Sequence, residues 1–177
     1  IEVTDDKGLA VTCAETTLAP GIPMACTARG PIGSGGQYTN IGTVTDMICC
    51  PGLDFCSLAN AGSIGVAKEL NEALDDLDYI HDIGDIKINM SGCMNGCAHQ
   101  SVGHIGILGV DKHGEEWYQI TLGGSSENEA AIGERLGPSV PKDQITSTIT
   151  TILDVYIKQR LEDEAFLETV KRVGLEP

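Results

Sequence analysis

Two cysteine pairs constrain this chain more than any other feature: Cys50 and Cys56 in CCPGLDFCS, and Cys93 and Cys97 in SGCMNGCAH. Both pairs lie beside glycines, at junctions between a loop and a regular element. Four thiolates suit either one tetrahedral metal ion or a cubane iron–sulfur cluster. Structural zinc is usually held by C-x2–4-C knuckles, and C-x5-C falls outside that range. A disulfide framework fits poorly with seven cysteines, an odd number, in a chain of 177 residues. The spacings therefore favour a [4Fe-4S] cluster on Cys50, Cys56, Cys93 and Cys97, with zinc and plain buried thiols as the alternatives. Cys13, Cys26 and Cys49 read as small buried hydrophobes.

The glycines give a physical reason for the cluster. Its sulfurs carry negative charge and are stabilised by backbone N–H donors. Gly52, Gly92 and Gly96 allow the main chain to approach the sulfurs without a Cβ in the way.

Length permits one domain with a real core, and 41% of residues are hydrophobic. Aromatics make up only 4%, so aliphatic side chains must fill the interior. Eleven Lys plus Arg against 26 Asp plus Glu give a net charge of −15, which argues against nucleic acid and against an anionic membrane as partners. The amino-terminal IEVTDDKGLA lacks a basic-then-apolar leader, and no apolar run approaches the ~20 residues that span a bilayer. A reducing cytoplasm is the expected compartment. The absence of an initiator Met points to a piece of a longer chain.

Along the chain, GLAVTCAET alternates as a short strand, and residues 29–42 are a Gly-rich loop and a candidate boundary. Apolar residues Ile64, Ala67, Leu70, Leu74 and Leu77 recur at three and four, predicting a helix from Asp54, its N-cap, to Leu77. Cys56 would then sit in the first helical turn, where the dipole favours a thiolate. DIKINMSG predicts a half-buried strand running into Cys93, and Cys97 rides a tight loop. HIGILGVD and EWYQITLGG predict a hairpin around Lys112, His113 and Gly114. Pro141 opens a helical region with Ile145, Ile149, Ile152 and Tyr156 on one face. After a break near Glu162, Phe166, Val170 and Val173 continue it. The expected fold is α+β: a small, mainly antiparallel sheet, helices packed on one side, and the cluster at loop ends.

The segments C-P-G-x-D-F-C, I-K-I-N-M-S-G-C-M-N-G-C and H-I-G-I-L-G, with EEWYQITLGG and a late KRVG, carry a resemblance. Residues 41–177 resemble the C-terminal iron–sulfur domain of sirohaem-dependent sulfite and nitrite reductases. Residues 1–40 are an N-terminal segment outside the resemblance, either part of the same domain or of a missing upstream region. The resemblance implies that the four motif cysteines hold a [4Fe-4S] cluster and that Cys97 also ligates the sirohaem iron. It further implies six-electron reduction of sulfite to sulfide or nitrite to ammonia. Electrons would come from a flavoprotein or ferredoxin.

One departure is His104, where the family often has an acidic residue. His104 and His99 are candidates for tuning the cluster or touching a sirohaem carboxylate. Sirohaem and its substrates are anionic, yet basic candidates are few. Lys68, Lys158, Arg160, Lys171 and Arg172 read as solvated, while Arg29, Lys87 and Arg135 lie nearer loops or strand ends. The chain is therefore expected to be the cluster-bearing part of a larger reductase, inactive alone, with the substrate-binding cations in the upstream half. Two other readings remain: an electron-transfer [4Fe-4S] module without sirohaem, and a structural zinc domain.

Overall fold

The computed structural model describes residues 42–74 and 82–175 in full, and the backbone of three short strands before them. The chain forms two compact units, residues 1–39 and 40–177. In the first, β1 (Val3–Thr4), β2 (Ala10–Cys13) and β3 (Cys26–Ala28) form an antiparallel sheet in that order. The readings made for Leu9, the Cys13 and Cys26 side chains, Arg29, most of the Gly-rich loop and Leu77 lie outside the described residues.

The second unit is α+β, built on one six-stranded mixed sheet. Its strands are β4 (Ile48–Cys49), β5 (Ile88–Ser91), β6 (Ile105–Lys112), β7 (Glu115–Leu122), β8 (Glu134–Arg135) and β9 (Val140–Pro141). They run in the order β4-β5-β6-β7-β8, with β9 also on β7. Its helices are α1 (Ile64–Ala73), α2 (Ile145–Gln159) and α3 (Phe166–Val173). The ladders on β7 are antiparallel, but β4–β5 and β5–β6 are parallel.

The hairpin forms as expected. His113 and Gly114 both take positive φ, 58° and 86°, as a two-residue turn matched to strand twist requires. Residues Ile88 and Met90, Ile105 and Ile107, and Tyr118, Ile120 and Leu122 share one sheet face and are buried. Val66, Ala67 and Leu70 of α1 and Ile145, Ile149, Leu153 and Tyr156 of α2 complete this core. Ile152, expected in the stripe, is only half-buried beside Leu153. In α2 the hydroxyls of Thr148, Thr150 and Thr151 donate to carbonyls four residues back. That habit weakens helix preference, so burial of the apolar stripe must hold this helix. Phe166 meets Tyr156 edge-on, with ring centroids 5.3 Å apart, and joins α3 to α2.

Two expectations are corrected. No helix runs from Asp54: a single 3-10 turn spans Gly52–Asp54, and α1 begins only at Ile64, after Ser63. The N–H groups of Asn60 and Ala61 bond to the Gly92 carbonyl at 2.8 and 3.0 Å, so they cannot serve a helical turn. And β5 is fully rather than half buried, being an interior parallel strand. Among the described residues, no helix is long and apolar enough to cross a membrane.

Candidate metal centre

The parallel β4–β5 ladder brings the two cysteine motifs together. Cys49 pairs with Met90, so both chains leave the sheet side by side at their carboxyl ends. The Cys50 N–H donates to the Met90 carbonyl at 3.1 Å, extending the ladder by one step. Cys50 then stands next to Gly92, with Cys93 following. Crevices beyond the carboxyl ends of parallel strands are where α/β sheets place ligands.

Gly92 is the node that ties the loops. Its N–H points at the Cys50 sulfur at 3.1 Å, and its carbonyl takes both the Asn60 and Ala61 N–H groups. A Cβ there would lie 2.6 Å from the Ala61 oxygen and 2.9 Å from Gly52 Cα. Gly109 of β6 makes the matching allowance: its Cβ would lie 2.7 Å from both Ala61 Cβ and the Gly92 oxygen. Residues 60–63 thus form a strap lying on the sheet between the two motifs. Ser63 adds a hydroxyl that donates to the Cys50 carbonyl and lies 3.8 Å from its sulfur.

These donors set the charge on Cys50. Burial pushes its thiol up, but the Gly92 and Gly52 N–H groups and the Ser63 hydroxyl outweigh burial and leave it below its ordinary value. Its neighbour Cys49 goes the other way, raised by burial and by the Cys50 charge. Cys49 packs against the core, as a small hydrophobe does.

Cys56 sits just after the 3-10 turn, with its N–H on the Gly52 carbonyl at 2.9 Å. It gains no α-helix dipole, because no α-helix begins there. Cys93 is buried and Cys97 exposed. The Gly96 N–H returns to the Cys93 carbonyl, and the Ala98 N–H reaches the Ser91 hydroxyl. From Cys93 the chain must travel back to start β6 parallel to β5. It passes over Asn89 and Gly106, on the sheet face away from the helices. Cys97 rides this crossover.

His99 lies on the same crossover in left-handed backbone, φ 52°, with its carbonyl accepting from the Asn89 amide at 3.3 Å. His104 is buried, and its Nδ1 accepts the Lys87 N–H at 3.2 Å. Burial depresses its pKa most, partly offset by Asp85. It marks the opposite end of β5 from Cys93.

The chemistry around Cys50, an N–H aimed at its sulfur, suits a cluster ligand. Among the described residues, no three side chains of His, Cys, Asp or Glu converge where one metal ion could share them. A cubane instead needs four thiolates spread over its corners, with N–H donors aimed at sulfur, and Gly92 is such a donor. The surroundings are apolar and open: Phe55 is 83% exposed, Met94 84% and Leu58 70%. Basic residues are mostly engaged elsewhere. Lys87 pairs with Glu127, Lys142 with Glu116, Arg160 with Asp82 and Arg172 with Glu164.

Comparison with known proteins decides the lineage. The model of the nitrite and sulphite reductase 4Fe-4S domain matches residues 41–177. The chain belongs to this family. Its members are oxidoreductases, and the matched region contains all four motif cysteines. A ferredoxin sulfite reductase of Mycobacterium tuberculosis is 31% identical over 137 residues, covering 72% of this chain and 24% of that protein. An assimilatory ferredoxin-dependent nitrite reductase of Haloferax mediterranei is 28% identical, covering 72% and 22%. Among solved structures, the NirA protein of Mycobacterium tuberculosis matches with a TM-score of 0.61 at 30% identity, covering 71% of this chain and 25% of that one. The chain therefore spans about a quarter of the length of these relatives.

Sequence reasoning singled out the cysteines and their glycines. It missed Ala61, Ser63 and Gly109, and the β7 residues Glu116 and Tyr118 that brace the strap. A C-x5-C motif followed by A-G-S shows only small residues, which signal a close approach without saying to what.

Proposed function

We propose that this chain is the cluster-bearing part of an assimilatory sulfite or nitrite reductase and has no turnover by itself. In this reading Cys50, Cys56, Cys93 and Cys97 hold a [4Fe-4S] cluster, and Cys97 also reaches the sirohaem iron. The observation that carries it is the Gly92 node, which ties both cysteine motifs of a 4Fe-4S family chain together and aims an N–H at a ligand sulfur. The cluster would supply one-electron steps from a flavoprotein or ferredoxin donor, and sirohaem the site for six-electron reduction of sulfite to sulfide or nitrite to ammonia.

The chain's own residues have definable tasks. Gly92, Gly52 and Ser63 stabilise negative charge on Cys50. Phe55, Leu58 and Met94 form an apolar rim that the upstream half of the reductase would cover, keeping water from the centre. Anion-binding cations would come from that half; near the sheet here Lys87 and Lys142 are paired with carboxylates. The test is reduction of sulfite or nitrite by a reduced dye. The isolated chain should show none, and the chain joined to its upstream half should turn over. Turnover by the isolated chain overturns the reading.

A further inference from the structure

The strap that carries the Gly92 node is itself gripped from β7. The Gly62 N–H donates to Glu116 Oε2 at 2.6 Å, and the Tyr118 hydroxyl donates to the Gly62 carbonyl at 2.8 Å. The same hydroxyl lies 3.3 Å from Glu116 Oε2, and Lys142 Nζ holds Glu116 Oε1 at 2.7 Å. Both polar groups of one peptide residue are thus fixed by two side chains of a single strand. On either side of Gly62, Ala61 gives its N–H to the Gly92 carbonyl and Ser63 gives its hydroxyl to the Cys50 carbonyl.

We propose that Glu116 and Tyr118 are positioning residues for the cluster: they clamp Gly62 so that the strap holds the Gly92 N–H on the Cys50 sulfur. The role rests on the cluster assignment above. Neither residue touches a cysteine, so the effect must pass through the backbone of residues 60–63. Tyr118 is fully buried, a position that an apolar ring would fill as well by packing alone. Its hydroxyl is explained by Gly62. The clamp does not loosen near neutral pH. Burial works against charge on Glu116, but Lys142, the Gly62 N–H and the Tyr118 hydroxyl outweigh it and hold the carboxyl below its ordinary value. Burial first, then the Glu116 charge, raise Tyr118, so its hydroxyl stays a donor.

Hydrogen bonds to cluster sulfurs help set the reduction potential, because they favour the more negative, reduced state. Slackening the clamp should lower that potential and open the thiolates to competition. The test uses the full chain, loaded anaerobically with iron and sulfide, carrying Tyr118→Phe, Glu116→Ala or Glu116→Gln. Glu115→Gln, on the exposed side of the same strand, is the control. Tyr118→Phe and Glu116→Ala should shift the midpoint potential downward and speed iron loss to a chelator about tenfold, as loss of one hydrogen bond allows. Glu116→Gln keeps an acceptor for the Gly62 N–H and should fall between. In cluster-free protein the Ala61 and Gly92 amides should exchange faster in the first two variants. Unchanged potentials, iron loss and exchange in a chain that does load a cluster overturn the clamp alone. A wild-type chain that takes up no iron and sulfide overturns the cluster reading and the clamp's role with it.

Discussion

Replacing Gly92 by Ala tests the node directly. The added Cβ would sit 2.6 Å from the Ala61 carbonyl oxygen, 2.9 Å from Gly52 Cα and 3.4 Å from Ala59 Cβ. The two nearest atoms belong to backbone and cannot rotate aside, so the overpacking should cost about 1–3 kcal/mol. Pushing the strap away also weakens the Asn60, Ala61 and Cys50 hydrogen bonds, each worth about 1 kcal/mol. Against this, Ala restricts the unfolded chain and returns about 0.4–1 kcal/mol, since Gly92 does not need left-handed backbone. The net loss should be about 2–4 kcal/mol, a fall in Tm of roughly 5–12 °C. Denaturant unfolding of the cluster-free chain, followed by fluorescence of Trp117, the single tryptophan, measures it. Gly65 of α1 supplies the opposite control. Nothing lies within 4 Å of a Cβ there, so Gly65→Ala should be neutral or stabilising by about 0.5 kcal/mol. If Gly92→Ala matched Gly65→Ala, the strap would not be packed against Gly92 and the reasoning would fail.

Two further outcomes are expected. Arg172, the Leu161 N–H and the Thr169 hydroxyl hold Glu164 at about 2, below its ordinary 4.5. Its stabilisation is therefore complete above about pH 4.5 and is lost as pH falls toward 2. Glu164→Gln should be less stable than wild type at pH 7, with the gap closing on acidification; a gap independent of pH would refute the assignment. Phe166→Ala removes the edge-on contact with Tyr156 and empties a site only 2% exposed. It should cost about 3–5 kcal/mol by thermal unfolding, whereas a loss below about 1 kcal/mol would mean α3 is not docked through this ring.

Periodicity made the buried faces legible. Ile88 and Met90, the hairpin at His113 and Gly114, the α2 stripe and Phe166 all report burial or turn chemistry that is local to their own segment. Strand direction is not local. Alternation in DIKINMSG looks the same in a parallel as in an antiparallel ladder. Only the long connection from Ser91 to Ile105 hints at the crossover that parallel pairing requires. The helix expected from Asp54 failed for a related reason. Of the expected stripe, Ile64 is exposed while Ala67, Leu70 and Leu74 are buried, and residues 60–62 spend their N–H groups on partners distant in sequence. Glu116 and Tyr118 were hidden because each also reads as an ordinary strand residue. At the centre, residue type carried what position could not: four cysteines among glycines pointed to the 4Fe-4S domain family that the comparison shows. Among the described residues, Lys68, Lys87, Lys142, Arg160, Lys171 and Arg172 each pair with a carboxylate.

In the proposed function Cys50, Cys56, Cys93 and Cys97 hold one cubane cluster. The direct measurement is iron, sulfide and zinc content per chain after anaerobic loading, taken with the absorption and electron paramagnetic resonance spectra, for wild type and for each single Cys→Ser variant. The wild-type chain should hold about four irons and four sulfides, as a [4Fe-4S] cluster requires. All four variants should lose content markedly, and Cys49→Ser should lose none. One zinc per chain with no sulfide, or full loading in any of the four variants, would contradict that proposal.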